Sequence, residues 1–134
     1  MIITDVKGMY TIEVSPTGTI VQEMQKGSWT IDDFKRFQAE YASKIAPLVK
    51  GKKWAKCSDI AEYKTSSIST ELQAHIKWAV GLGLAGGAII LKSAVVKMQM
   101  NRGSGTLISP KMFDNKADAM KFLISEEIGR ASCR

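Results

Sequence analysis

Cysteine, histidine and proline are all scarce in this chain, and each scarcity closes off a class of protein. The 134 residues hold two cysteines, one histidine and three prolines. Cys57 and Cys133 have no metal-ligand spacing and are too few for a disulfide framework. That pattern points to a reducing cytoplasm, with no structural metal and no other cofactor. Cys57 falls within an apolar stretch and is expected to be a buried thiol. A lone histidine leaves a serine nucleophile one candidate base, His75. It lies about two helical turns beyond Ser67, roughly 12 Å of rise, so the two cannot hydrogen-bond directly. No G-x-S-x-G elbow occurs, and no hydrolase is legible. His75 itself is expected beside the apolar stripe of its helix, at the surface or half buried.

Long apolar runs are missing too. The longest, Ala79–Leu91, spans 13 residues and contains four glycines, whereas a membrane-spanning helix needs about 20. The N-terminal MIITDVKGMYTIEV lacks the basic start and apolar stretch of a secretory signal. Acidic residues are outnumbered, giving a net charge of +6. The excess is local: Tyr41–Phe113 holds 11 Lys/Arg against 3 Asp/Glu, or +8, and the remainder carries −2. Such a basic middle attracts anionic partners. Aromatics make up only 7%, and arginine-rich clusters are absent, which disfavours nucleic acid as the partner.

What is present reads as one α/β domain. Tyr10, Ile12 and Val14 alternate with polar residues as a half-buried strand does, and SPTG supplies the turn into a second strand from about Thr19. Thr30 is a helix cap, with Asp32 and Asp33 in the first turn where carboxylates are favoured. Those two acids are neighbours in sequence and do not face each other, so they do not form an acid–base pair. Ile31, Phe34, Tyr41, Ile45 and Leu48 mark the buried face of this helix, with Phe37 or Gln38 between them, and Pro47 is expected to end its regular turns. Trp54–Ser58 is a short apolar strand ending at Asp59, followed by a loop, IAEYKTSS. Ile68, Leu72, Ile76, Ala79 and Val80 form the stripe of a second helix, which the glycines at 81, 83, 86 and 87 stop. GAIIL is a buried strand. KSAVVKMQMNR suggests a short helix and GSGTLIS a last strand. A closing helix is capped by Asp114, with Phe113, Ala117, Met120, Leu123 and Ile124 on its apolar side. Residues 127–134 end in GRASCR, which has no periodicity, and are set aside as a disordered or cloning-derived tail, leaving one domain over residues 1–126. Strands separated by helices imply parallel pairing, and the opening hairpin adds the antiparallel part of a mixed sheet.

GLGLAG, residues 81–86, has the spacing of a dinucleotide fingerprint. That motif works between a strand and a following helix, where free N–H groups point at a pyrophosphate. Here the order is helix, glycines, strand, so the groups presented are helix C-terminal carbonyls. The run is a helix end.

The stretch CSDIAEYKTSSIS is the stronger candidate site, because it follows a buried strand and leads into a helix N-terminus. It offers Asp59, Glu62, Lys64, Thr65, Ser66 and Ser67. A phosphate on Ser66 or Ser67 would lie against the positive end of the second helix, with Lys64 beside it. Read locally, one of these serines caps that helix. Val95, Val96, Met98 and Met100 form a second apolar group, which the pattern favours as core and which could line a cleft with Trp78.

The element order resembles that of the STAS / SpoIIAA-like domain family, the fold of anti-sigma-factor antagonists and their STAS–SEC14 relatives. The likeness is carried by WTIDDFKRF opening the first helix, WAKCSD as central strand and PKMFDNKADAMKFL as the closing strand-to-helix segment. In regulatory members the loop after the central strand carries a serine that a partner kinase phosphorylates. Ser66 and Ser67 match that serine pair. Lys64 or Thr65 stands where an acid is expected, and Ser69 where glycine would ease the turn. The resemblance therefore implies a non-catalytic interaction module more strongly than a phosphorylation switch. The expected function is binding of a protein partner through the loop Ile60–Ser67 and the following helix. The alternative is a carrier of a small apolar or anionic ligand, lipid-like or nucleotide, with Asp59, Trp78, Val95, Val96, Met98 and Met100 as the surface. A homodimer through a sheet edge or helix face is compatible with either reading.

Overall fold

The computed structural model describes residues 2–64, 68–92 and 111–132, with side chains through residue 126 in the last helix. The elements are β1 (Ile2–Thr4), β2 (Tyr10–Val14), β3 (Ile20–Gly27) and α1 (Ile31–Glu40), then a π-turn (Tyr41–Ile45) running into α2 (Ala46–Val49). After them come β4 (Trp54–Tyr63), α3 (Ser69–Gly81), β5 (Leu84–Ile90), β6 (Lys111–Phe113) and α4 (Lys116–Ser132). Among the described residues six strands form one mixed sheet in the order β1-β2-β3-β4-β5-β6. The first three are antiparallel, and β3 to β6 are parallel. The expected hairpin is thus a three-stranded meander. β1 has three residues, too few to show a period.

Helices cover both faces. One carries the larger core, built around Trp54, Phe37, Tyr41 and Ile45, under α1, the π-turn and α3. The other packs Ala55, Cys57 and Ala88 against Ala119 and Leu123 of α4. Cys57 is buried as expected, and burial pushes its thiol up to about 11. The few aromatics are concentrated on the first face. Tyr10, Trp29, Phe34, Phe37 and Tyr41 form a chain of tilted and edge-to-face ring contacts, the geometry their quadrupoles favour.

Several boundaries differ from the sequence pattern. β4 continues to Tyr63, because Ile60 and Tyr63 turn into the core; the stretch after Asp59 is strand, not loop. Ile31 and Leu48 are exposed. The π-turn adds a residue ahead of Pro47, and Val49 takes the inward place after Ile45. Pro47 sits near the start of α2 and does not end the helical turns. Helix α3 begins at Ser69, with Ile68 at its N-cap and buried. The serines expected to cap it, Ser66 and Ser67, lie outside the described residues. Only Gly81 and Gly83 lie where α3 stops; Gly86 and Gly87 belong to β5. The cap of α4 is Asn115, whose Oδ1 accepts from the Asp118 N–H at 2.8 Å, and not Asp114. Ala117 and Ile124 are exposed, since Ala119 and Leu123 meet the narrow strip of small residues that α4 covers. All of KSAVVKMQMNR after Lys92, and all of GSGTLIS, lie outside the described residues.

The Thr30 cap forms as expected: its side chain accepts from the Asp33 N–H, and the Asp33 carboxylate accepts from the Thr30 N–H at 2.9 Å. Asp33 also takes part in a link between distant segments. Arg36 donates to both oxygens of Asp5, at 2.6 and 2.9 Å, and to Asp33 at 3.1 Å, tying the β1–β2 turn onto α1. Asp5 is held below the usual carboxylate range, first by Arg36, and Asp33 first by the Thr30 N–H. A carboxyl depressed in the folded state adds stability above its unfolded value and loses it as pH falls through the folded one. Arg36→Leu is expected to cost about 1.5–3 kcal/mol at neutral pH. The gap between variant and wild type should narrow from about pH 5 to about pH 3 in urea denaturation. A gap that stays constant over that range overturns this account of Asp5.

Candidate functional site

Strand alternation places Val21, Glu23 and Gln25 of β3 on the same face as Trp54, Lys56, Ser58 and Ile60 of β4. Glu23 pairs with Ser58 in the register of the two strands. Polar residues thus occupy core positions. Lys56, Glu23 and His75 are 6%, 5% and 2% exposed. Buried charges of this kind persist only when paired and hydrogen-bonded, and here they are. The Glu23 carboxylate accepts from Ser58 Oγ at 2.7 Å, from Gln25 Nε2 at 3.2 Å and from the Tyr41 hydroxyl. It also pairs with Lys56 Nζ at 3.5 Å. Lys56 Nζ lies 4.4 Å from the centroid of the Tyr41 ring, a cation–π contact.

His75 completes the cluster from α3. Its Nδ1 bonds Gln38 Oε1 of α1, which is an acceptor, so Nδ1 carries the proton and Nε2 offers its lone pair to Lys56 Nζ. Burial, and then the Lys56 charge, hold His75 well below its ordinary value, so the imidazole is neutral. Burial lowers Lys56 as well, against the opposing pull of Glu23. Tyr41 is raised well above the ordinary phenol, by burial and then by Glu23, and remains a hydroxyl donor. One cation and one anion leave the cluster neutral.

Beside these groups lies a cavity of about 60 Å³ between the central strands and α3. Its polar end is Glu23, Gln25, Lys56, Ser58 and His75; its apolar wall includes Phe37, Ile60, Leu72, Ile76 and Ile89. Gly87 pairs with Lys56 in the β4–β5 register and lines the cavity. As a glycine it brings no side chain to the cavity. Among the described residues no group of His, Cys, Asp and Glu is arranged to hold a metal ion.

Of the candidate site residues singled out from the sequence, the described ones are not part of the cavity lining. Asp59 is half buried on the opposite sheet face, where its carboxylate accepts from the Ala61 N–H at 3.1 Å. Lys64 is exposed just beyond β4. Thr65, Ser66 and Ser67 lie outside the described residues, as do Val95, Val96, Met98 and Met100. Trp78 is half buried; its ring stacks on His75 with centroids 5.9 Å apart, and it lines a surface groove between α1 and α3, outside the cavity. The surface position expected for His75 is corrected: it is a core residue, drawn in by partners on two other elements. A signal for it exists in the sequence. Leu72, His75, Ile76 and Ala79 fall at i, i+3, i+4 and i+7, so His75 is on the apolar stripe. Lys56 likewise falls in phase with Trp54 and Ile60.

No family model matches the sequence, and no curated protein matches it. A solved structure does match in fold. It is the crystal structure of an uncharacterized protein from the DUF3478 family with a SpoIIAA-like fold, from Shewanella loihica PV-4. The match has a TM-score of 0.59 and 21% identity, and covers 84% of this chain and 90% of that one. The chain has a SpoIIAA-like α/β fold, with antiparallel N-terminal strands followed by parallel ones. No helix among the described residues is long and apolar enough to cross a membrane.

Proposed function

We propose that this domain is a non-catalytic binding module that holds a small ligand of mixed polarity in the cavity beneath α3. The observation that carries the reading is the cavity itself, which joins a neutral, hydrogen-bonded polar end to an apolar wall. At about 15 Å³ for each water-sized group, it takes about four non-hydrogen atoms. A ceiling of about 1.5 kcal/mol per atom then limits noncovalent binding to about 6 kcal/mol, a Kd of tens of micromolar at best. Thermal shift with millimolar short-chain alcohols and amides tests this. Wild type should be stabilised, and Gly87→Val, which fills the space with a strand-compatible side chain, should fold and not respond. Equal responses, or none from wild type, overturn the reading.

A separate observation favours a second reading, in which a protein partner docks at the loop after β4 and the start of α3. Lys7, Lys26 and Lys64, against the single acid Glu62, border one surface depression at the end of β3 and β4, directly before residue 65. Their chemistry suits an acidic surface. Binding to polyglutamate should weaken from about 50 to about 500 mM salt as the charges are screened, and Lys7→Glu/Lys26→Glu should abolish it. Salt-insensitive binding would overturn this second reading.

A further inference from the structure

We propose that Lys56 captures a small aldehyde in this cavity as a reversible imine, with Glu23 as its counter-ion; the proposal rests on the small-ligand reading above. A ligand of so few atoms gains little from contacts alone, so a covalent bond is what would retain it. Lys56 lines the cavity, and its Nζ is oriented by the lone pair of His75 Nε2, itself set by Gln38. Burial favours the uncharged amine, the form that attacks a carbonyl. The groups across from it are Glu23, Ser58 and Tyr41. Of these, Ser58 and Tyr41 donate to Glu23, leaving Lys56 as the nucleophile.

The charge balance selects an imine over other adducts. The Lys56 ammonium passes a proton to Glu23, and the free amine adds to the aldehyde carbon to give a carbinolamine. One amine proton has by then moved to oxygen as the carbinolamine hydroxyl; this hydroxyl takes the proton returned by Glu23 and leaves as water while the nitrogen lone pair forms the C=N bond, and the remaining N–H proton stays on the imine. Net, ammonium and aldehyde become protonated imine and water. One positive charge beside Glu23 is kept throughout. Acylation or carbamate formation would remove that charge and leave a buried carboxylate without its ion pair, a costly state. An aldehyde therefore fits the site where an acyl donor or carbon dioxide does not.

The test uses the full chain with propanal at mildly acidic pH, cyanoborohydride reduction and peptide mapping, beside thermal shift with 1-propanol, which cannot form an imine. The expected result is a reduced propyl adduct on Lys56 forming at least about tenfold faster than on exposed lysines, because burial favours its uncharged amine. Lys56→Met should lose that adduct. If that variant does not fold, the wild-type map alone decides. Adducts spread over surface lysines with Lys56 unmodified, while 1-propanol still stabilises, overturn the imine and leave the binding reading standing. No adduct on Lys56 and no response to 1-propanol overturn both.

Discussion

Glu23→Leu is expected to destabilise the fold by about 3–5 kcal/mol, the effect of removing one partner from a buried ion pair. The variant leaves Lys56 buried without its carboxylate, and leaves the Tyr41 hydroxyl, Ser58 and Gln25 without the acceptor they share. The triple replacement Glu23→Leu/Lys56→Met/Tyr41→Phe removes charge and hydroxyl together. It is expected to recover most of the loss, because apolar groups of similar volume often replace a buried pair at little net cost. Urea denaturation of wild type, single and triple variants measures both steps. A single variant within about 1 kcal/mol of wild type would mean that the pair is solvated and the site is not the closed cluster described above. A triple variant that recovers nothing would mean that the cluster's hydrogen bonds, not its charges, dominate.

Gly83→Ala is the second substitution with a large expected effect. Gly83 sits at φ +103°, and a β-carbon there would stand 2.3 Å from the Lys52 carbonyl oxygen, a backbone atom. The turn is fixed on the other side as well. Trp54 donates from its backbone N–H to the Gly83 carbonyl at 3.1 Å and from its indole to the Leu82 carbonyl at 3.0 Å. Neither partner can yield without moving the start of β4, so a loss of about 3 kcal/mol or more is expected. Gly81→Ala is the control. It ends α3 without a positive φ, and its added carbon meets nothing within 4 Å. That change should be neutral or stabilising by about 0.5–1 kcal/mol, since alanine restricts the unfolded chain. Equal effects of the two substitutions in chemical denaturation would remove the claim that Gly83, unlike Gly81, is conformationally required.

These two sites show how differently fold and function are written in the chain. The helix end at Gly81–Gly83 is legible because a helix terminus is local: glycine, the apolar stripe before it and the β-branched run after it are neighbours. The Thr30 cap and the Tyr10–Val14 alternation are legible for the same reason. The polar cluster is not. Lys56 appears within a strand pattern, Glu23 in a less regular one, and His75 in a helix, with nothing in their spacing to connect them. Each breaks the apolar pattern of its own face, and that is the trace they leave. The partner that makes each break tolerable comes from another element, 19 positions away in the case of Lys56 and His75 and 37 in that of His75 and Gln38.

Local order along the chain was sufficient to specify the main strands and helices, the Thr30 cap and the mixed sheet, because hydrophobic periodicity and turn chemistry act over a few residues. Only the tertiary structure decided that Lys56, Glu23, His75 and Tyr41 meet, and that a cavity lies beside them. Burial of a charge depends on what other segments bring to it, and no stretch of sequence carries that information alone.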